Sequence, residues 1–495
     1  MKKLTYYIAI GAIFAIPFFA LFPIPNVPIF GISNSFFFPF ITGKAFFFRF
    51  LVEIAFAAWV ILAFIDAKYR PKLTPLTIGV TIFALVTLIA DLFGVNPARS
   101  IWSNFERMEG WLVIIHLWAF FMTTTSILGS SSTGGKEDRN LWHKWLNTSL
   151  FVAFIVSIYG LFQLFGWAEI HQGSTRLDAS LGNAIYMAVY MMIHAFIAAY
   201  MFIVNMQKMN LVSKSKNNEQ SGIKFRLWAY GIITLLFCFL VFQTQTRGTT
   251  LGFIGGVILA LALYAIFGHG ESKKSRWIST AIIGVIILTG VVFWMNRDSQ
   301  FVKDSEILNR LATISWNDTK TQARGYVWPM AVSGALERPI LGWGQENFNY
   351  IFNSNYNPKM WSQEQWFDRA HNVYLDWFVA GGLVGLLSYL ALYVLFVIII
   401  WKSKLTIAEK SVLIGLMAGY AVHNIFVFDN LASYVLFFSM LGFSASLYEG
   451  KPIKFFGTNP LQADAVEYIV MPIVLVVFIS SIYFFNVRIL WLTLV

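Results

Sequence analysis

Hydrophobic residues arrive in this chain in blocks of about twenty, the length at which an α-helix crosses the hydrocarbon core of a bilayer. That repeat restricts the possible folds more than any motif does. The backbone groups of each block must be satisfied within the block if lipid surrounds it, and a helix does this. Of the 495 residues, 57% are hydrophobic and only 12% charged, too much apolar surface for soluble cores to hide. We read thirteen spans: 4–22, 47–66, 74–93, 111–129, 146–165, 184–204, 227–244, 249–267, 277–295, 373–400, 411–428, 431–447 and 467–486. The expected fold is all-α, a polytopic membrane protein with about 12–13 transmembrane helices and one large outer loop. Three sections follow: an N-terminal transmembrane bundle over 1–295, an outer loop with short helices over 296–372, and C-terminal transmembrane helices over 373–495. The first block follows Lys2 and Lys3 without a small-residue cleavage site, so it reads as a retained span. The single cysteine, Cys238, lies inside a block and permits no disulfide within the chain.

Charge sets the orientation. With Lys2 inside and the spans alternating, the inner loops hold Lys68, Arg70, Lys72; Lys136, Arg139, Lys144; Lys208, Lys214, Lys216, Lys224, Arg226; Lys273, Lys274, Arg276; Lys402, Lys404, Lys410; and Lys451, Lys454. With Lys2 and Lys3 these are 21 of the 36 basic residues, 17 of them lysine. The outer side keeps 15, and 11 of those are arginine. Lysine suffices as a topology signal, whereas the planar arginine fork is the better grip on phosphate or carboxylate. Pairing with outer carboxylates such as Glu106, Glu109, Asp304 and Glu337 is the plainer use of the same arginines. The net charge of +11 is accounted for by topology-setting lysines and anionic lipid, so membrane lipids and not nucleic acid are the expected partners.

The outer segment 296–372 is 77 residues long and rich in Trp, Phe, Tyr and Leu, a composition that folds. Its run Ala323 to Pro339 reads as a helix that Pro339 stops, and Pro329 places the start near Trp328, because proline is tolerated only in a first turn. Arg324 and Trp328 then share a face only if the helix runs back past the proline. Gly342 and Gly344 mark a turn that leads into polar residues. His371 closes the segment just before a long span. A helix N-terminus favours the neutral imidazole, which can accept a proton; a cap or a loop hydrogen bond is the alternative. Arg247 stands at the outer end of a span beside Gly248, as a site residue or a snorkelling arginine. Arg107 is a third outer arginine, or the partner of Glu106 or Glu109. No His-x-x-x-His pair occurs, and no Asp-x-Asp stands on the outer side, so the expected chemistry uses neither metal nor cofactor.

Four motifs occur in order on this topology: Ser103-Asn-Phe-Glu-Arg107-Met-Glu-Gly110; Gln245-Thr-Arg247-Gly248; Arg324 to Trp328 followed by Pro339-Ile-Leu-Gly342-Trp-Gly344-Gln-Glu346-Asn-Phe348; and His371-Asn372-Val-Tyr-Leu375. Together they resemble the O-antigen ligase and O-antigen polymerase superfamily of bacterial membrane glycosyltransferases. The resemblance implies a GT-C-like fold in the bacterial cytoplasmic membrane. It implies a donor glycan on undecaprenyl diphosphate, and transfer on the periplasmic or outer face to a hydroxyl of a glycan, lipid or protein acceptor. Arg247 looks like the family's key arginine, Arg324 like its long-loop arginine and His371 like its loop-end histidine. Many members have Ser before the key arginine, where this chain has Gln245-Thr; the arginine and glycine are kept. The implied mechanism gives Arg247 and Arg324 the diphosphate, with Arg107 and Arg338 as lesser candidates and His371 as base. Trp328, Glu346 and Asn372 are further expected substrate contacts. A polymerase and a protein O-oligosaccharyltransferase share this donor side, and a transporter of the lipid-linked glycan would need no base.

Overall fold

A computed structural model of the chain describes residues 1–22, 39–104, 107–130, 140–171, 175–212, 217–270, 272–313, 323–361, 366–457 and 459–487. Glu106, Lys136, Arg139, Lys214 and Lys216 lie outside the described residues. All thirteen blocks are helical. The N-terminal part contains α1 (Lys2–Ala15), α2 (Lys44–Ile65), α3 (Pro75–Leu92), the short α4 (Pro97–Trp102), α5 (Trp111–Leu128), α6 (Asn140–Leu164) and α7 (Ala184–Val212). It continues with α8 (Asn217–Gln243), α9 (Arg247–Phe267) and α10 (Lys273–Met295). The 77-residue segment carries α11 (Gln300–Asp304), α12 (Glu306–Ala312), α13 (Arg324–Glu337) and α14 (Phe348–Ser354). After it come α15 (Val373–Lys402), α16 (Ile407–His423), α17 (Leu431–Ser446) and the helical span α18 (Ala463–Val487). Among the described residues eleven helices are long and apolar enough to cross a membrane; α16 and α17, with 17 and 16 residues, are shorter. The molecule is an all-α polytopic membrane protein.

Loop contacts divide the molecule into two ends. At the lysine-rich end, β1 (Lys72–Leu73) pairs antiparallel with β2 (Lys451–Pro452), Lys2 lies 2.7 Å from Asp66, and Lys404 lies 3.1 Å from Glu449. At the arginine-rich end, the Val95 amide donates to the Trp343 carbonyl at 2.9 Å, and Ser100 Oγ donates to the Gln345 carbonyl at 2.9 Å. The second expected outer segment and the long one thus dock on each other.

Two backbone approaches locate the site. In α9 and α16 the glycine pairs Gly252/Gly256 and Gly415/Gly419 face each other. A Cβ on Gly252 would lie 2.4 Å from the Gly419 carbonyl oxygen, and one on Gly256 2.4 Å from that of Gly415. Small residues at a four-residue spacing let membrane helices touch backbone to backbone. The contact brings Arg247, at the head of α9, beside the turn that follows α16. The second approach breaks α15 at Gly382, whose φ of 61° lies outside helical space. The Pro339–Gly344 turn fills the break. Trp343 and Gly344 amides donate to the Val379 and Ala380 carbonyls at 2.8 and 2.9 Å, and the Leu383 amide donates to the Pro339 carbonyl at 2.7 Å. Groups freed by the kink are therefore paired by protein, as a lipid-embedded helix requires.

The structure corrects the expected start of the loop helix. α13 begins at Arg324 and carries Pro329 inside it. The lost hydrogen bond and the ring's crowding of Gly325 are offset by anchoring of the first turn. Val327 is fully buried, and Trp328 Nε1 donates to the Ala370 carbonyl at 3.1 Å. The expected span 411–428 also shifts: α16 ends at His423, and 424–430 is a connecting turn. A small separate core of Val327, Ala331, Ala335, Ile351, Phe352 and Met360 lets the long segment fold over α15.

Candidate functional site

Strain is concentrated at the arginine-rich end. All seven described non-glycine residues with positive φ lie there: Ser103, Met108, Ala179, Gln245, Ala323, Glu346 and His371. Such backbone costs about 1–3 kcal/mol per residue and persists where surrounding contacts over-determine it.

His371, at φ 55°, is held on both sides. The Ala370 amide donates to Asp376 Oδ1 at 2.7 Å, and Ala370's carbonyl takes the Trp328 indole. On the other side Asn372 caps α15, accepting from the Tyr374 and Leu375 amides at 3.0 and 3.2 Å. The Val373 amide reaches the carbonyls of Asn424 and Val427 at 2.9 and 3.0 Å. The imidazole packs edge-on against Phe367 and Phe428, with ring centres 5.3 and 5.1 Å away. Its Nδ1 lies 3.2 Å from the Arg369 carbonyl. A carbonyl only accepts, so Nδ1 carries the hydrogen and Nε2 keeps the lone pair. Burial pushes the ring down to about 4, and the positive charges of Arg324 and Arg107 add to this. The Arg369 carbonyl and Asp368 oppose it without prevailing.

Around Phe428 the charges are paired. Arg107 Nε lies 2.7 Å from Asp368, with its guanidinium 4.7 Å from the centre of the Phe428 ring. Arg369 Nη2 bonds Glu109 at 2.9 Å and Glu346 at 2.5 Å. Burial pushes Glu109 up to about 7, against the pull of Arg369 and Arg107. The partner of Arg107 is thus Asp368, from the far end of the long segment, and Glu109 belongs to Arg369. Beside this network Glu346, Asp368, Arg369, Asp376, Asp429 and Tyr434 line a cavity of about 40 Å³. That admits a water or two but not a sugar ring.

A second group has a different charge balance. Gln243 ends α8, a turn with Gln245 at φ 54° follows, and Arg247 opens α9. Arg176, from the connection between α6 and α7, donates through Nε to the Thr244 carbonyl at 3.1 Å and through Nη2 to Thr246 Oγ1 at 2.7 Å. Arg247 Nη2 donates to Thr313 Oγ1 at 2.8 Å, at the end of the helix that carries Arg310. Gln245 and Thr175 both donate to Glu306 Oε2 at 3.3 Å, which ties α12 to this turn. Burial and the charges of Arg310 and Arg247 lower Arg176 to about 10. Three guanidinium groups from three separate segments therefore converge at the positive end of α9, an arrangement suited to a polyanion. The two groups adjoin: a Cβ on Gly248 would lie 2.7 Å from Phe426 Cβ, two residues before Phe428.

Of the residues singled out in the sequence, His371, Arg107, Glu346, Trp328 and Asn372 meet in the first group, and Arg324 acts on His371 through its charge. Trp328 and Asn372 are engaged with backbone, holding the His371 segment. Arg338 stands apart. It is exposed at the far end of α13, about 20 Å from Arg324 along the axis, with its guanidinium 4.8 Å from the centre of the Trp343 ring. Sequence reading missed Arg176, Arg310, Arg369, Asp368 and Phe428 as site residues. The excess of outer arginine is the one signal that pointed toward the three arginines. Among the described residues no group of three or more His, Cys, Asp or Glu side chains is arranged to hold a metal ion.

Residues 232–390, about a third of the chain, match a family model described as O-antigen ligase. The matched stretch runs from α8 through the break in α15 and includes Arg247, Arg310, Arg324 and His371. No curated protein matches the chain.

Proposed function

We propose, from a match that supports membership of the O-antigen ligase and polymerase superfamily, that this protein moves a glycan from undecaprenyl diphosphate to an acceptor hydroxyl. Transfer would take place on the outer face of the bacterial cytoplasmic membrane and be of the O-antigen ligase type. The observation that carries the reading is a neutral imidazole with its Nε2 lone pair available, beside converging arginines.

The chemistry follows from charge. The bond from sugar C1 to the diphosphate oxygen breaks, and the leaving group keeps the electron pair. Arg247, Arg176, Arg310 and Arg324 would stabilise that developing charge more than they stabilise the ground state, without a metal. The acceptor oxygen bonds to C1 from the opposite side, inverting the anomeric centre, and its proton goes to His371 Nε2. The donor's diphosphate would also screen Arg324 and Arg107, which returns some of the basicity that their charges remove from His371. Arg107, already on Asp368, contributes through that field; Arg338 contributes nothing to the grip.

Purified protein given lipid-linked glycan and acceptor should transfer sugar in the presence of EDTA. His371→Ala should lose activity by about 10²–10⁴-fold. Full activity in that variant would remove His371 from the mechanism. The product separates the neighbouring readings. A lengthened lipid-linked glycan identifies a polymerase, and a glycosylated protein identifies an oligosaccharyltransferase. Transfer in detergent, where no membrane has two sides, excludes a transporter as the whole function.

A further inference from the structure

Away from His371, one buried charge inside the membrane makes no hydrogen bond among the described residues. Arg49 lies on α2 with its side chain wholly buried (0% exposed), and none of its three nitrogens makes a hydrogen bond with a described residue. The centre of the Phe46 ring lies 4.5 Å from the guanidinium carbon. Glu53, one turn further on, is already engaged. Its Oε1 lies 3.1 Å from His116 Nε2, and its Oε2 accepts from Asn486 Nδ2 at 2.8 Å.

His116 Nδ1 lies 2.7 Å from the Leu112 carbonyl and must carry a hydrogen. Nε2 then faces a carboxylate, a contact that holds only with a proton between the two. Whichever side keeps that proton, His116 and Glu53 together carry no net charge. The group therefore retains the single positive charge of Arg49. A charge at such a position is costly and marks a site, and the guanidinium fork matches phosphate oxygens.

Depth and access identify the anion. His116 is five residues into α5, about 8 Å from its arginine-rich end. Phe485, next to Asn486, packs on the rings of both His116 and Trp102, at 5.6 and 6.0 Å, and Trp102 belongs to the short α4 at that end. This depth is close to the head-group region. α18 closes the group and is loosely seated, since Val466 and Asn486 are its only buried residues. Lipid can therefore reach the seam between α2 and α18.

We infer that Arg49 binds the phosphodiester of an anionic membrane lipid, whose single negative charge balances that of Arg49, between α2, α5 and α18. The acyl chains lie along the α2–α18 seam.

The test uses the whole protein in phosphatidylcholine nanodiscs titrated with phosphatidylglycerol, read by native mass spectrometry and thermal unfolding. Wild type should retain one phosphatidylglycerol preferentially and unfold at a higher temperature with it. Arg49→Met removes the charge at similar length, and a buried charge is often replaced by an apolar side chain without loss of stability. This variant should bind phosphatidylglycerol at least about tenfold more weakly and lose the lipid-dependent shift. An equal shift in Arg49→Met overturns the assignment, as does a wild type that does not prefer phosphatidylglycerol. Inorganic phosphate should produce no shift; if it does, the site takes a soluble anion and the lipid assignment fails. Because both lipid arms can be read on wild type, the proposal is testable even if the variant does not fold.

Discussion

At the scale of single residues, the arginine-rich end uses arginine in two ways. Arg107 and Arg369 are tied to Asp368, Glu109 and Glu346 and build the frame around Phe428. Arg176, Arg247 and Arg310 gather at the head of α9, where burial together with the charges of Arg310 and Arg247 lowers Arg176 to about 10. The pH profile of kcat/KM should report the field on His371. Its imidazole titrates in the folded protein at about 4, below the usual 6.5. It is therefore neutral and able to accept a proton above that value, and becomes protonated as pH falls through it. The acid limb attributable to His371 is expected near pH 4. Arg324→Ala removes one of the charges that depress the ring and should move the limb upward, toward neutrality. An unmoved limb in that variant would show that Arg324 does not act on His371. The pairing was not legible in advance because it joins distant residues. Arg107 stands next to Glu106 in the chain but bonds Asp368, and Arg176 is 71 positions from Arg247. His371 and Arg247 could be singled out in the sequence because each sits where an apolar block meets a polar run.

Helices and their boundaries were read well wherever hydrophobicity alone decides them, and less well where tertiary contacts override local rules. Pro329 argued for a helix start near Trp328, yet a buried Val327 and one indole hydrogen bond carry α13 back to Arg324. The break at Gly382 was hidden because the run from Trp377 to Ile400 is apolar but for Ser388, and hydropathy cannot register a backbone turn that another segment repairs. The glycine contact between α9 and α16 gives a test at this scale. Gly256→Val should prevent close packing of the two helices, because even its Cβ would lie 2.4 Å from the Gly415 oxygen. Gly255, one position away, has nothing within 4 Å of an added Cβ, so Gly255→Ala should be tolerated and stabilise its helix by about 0.5–1 kcal/mol. Thermal unfolding of both variants in the same detergent checks the pair. Equal behaviour would mean that the contact does not hold α9 in place.

For the whole molecule, the two ends differ in residue type because they answer different demands. On the expected orientation the lysine-rich loops hold their end inside during insertion, and arginine predominates at the opposite end. The expected orientation can be read with an impermeant maleimide on intact cells, using single cysteines in a Cys238→Ser background. Arg297→Cys, at the arginine-rich end, should label, and Lys273→Cys, at the other end of α10, should be protected until the membrane is opened. The reverse pattern would turn the molecule over and move the proposed chemistry to the cytoplasm. A cover joined to the membrane part only by flexible ends could swing as a lid while the helices stayed still. Here the Pro339–Gly344 turn is hydrogen-bonded into the broken α15 at Val379, Ala380 and Leu383, eight to twelve residues beyond His371, which stands just before that helix. Lifting the long segment would therefore strain α15, so that, on the proposed reading, admission of a glycan and the attitude of the imidazole would be geared together, and a stalled opening would idle the chemistry as well.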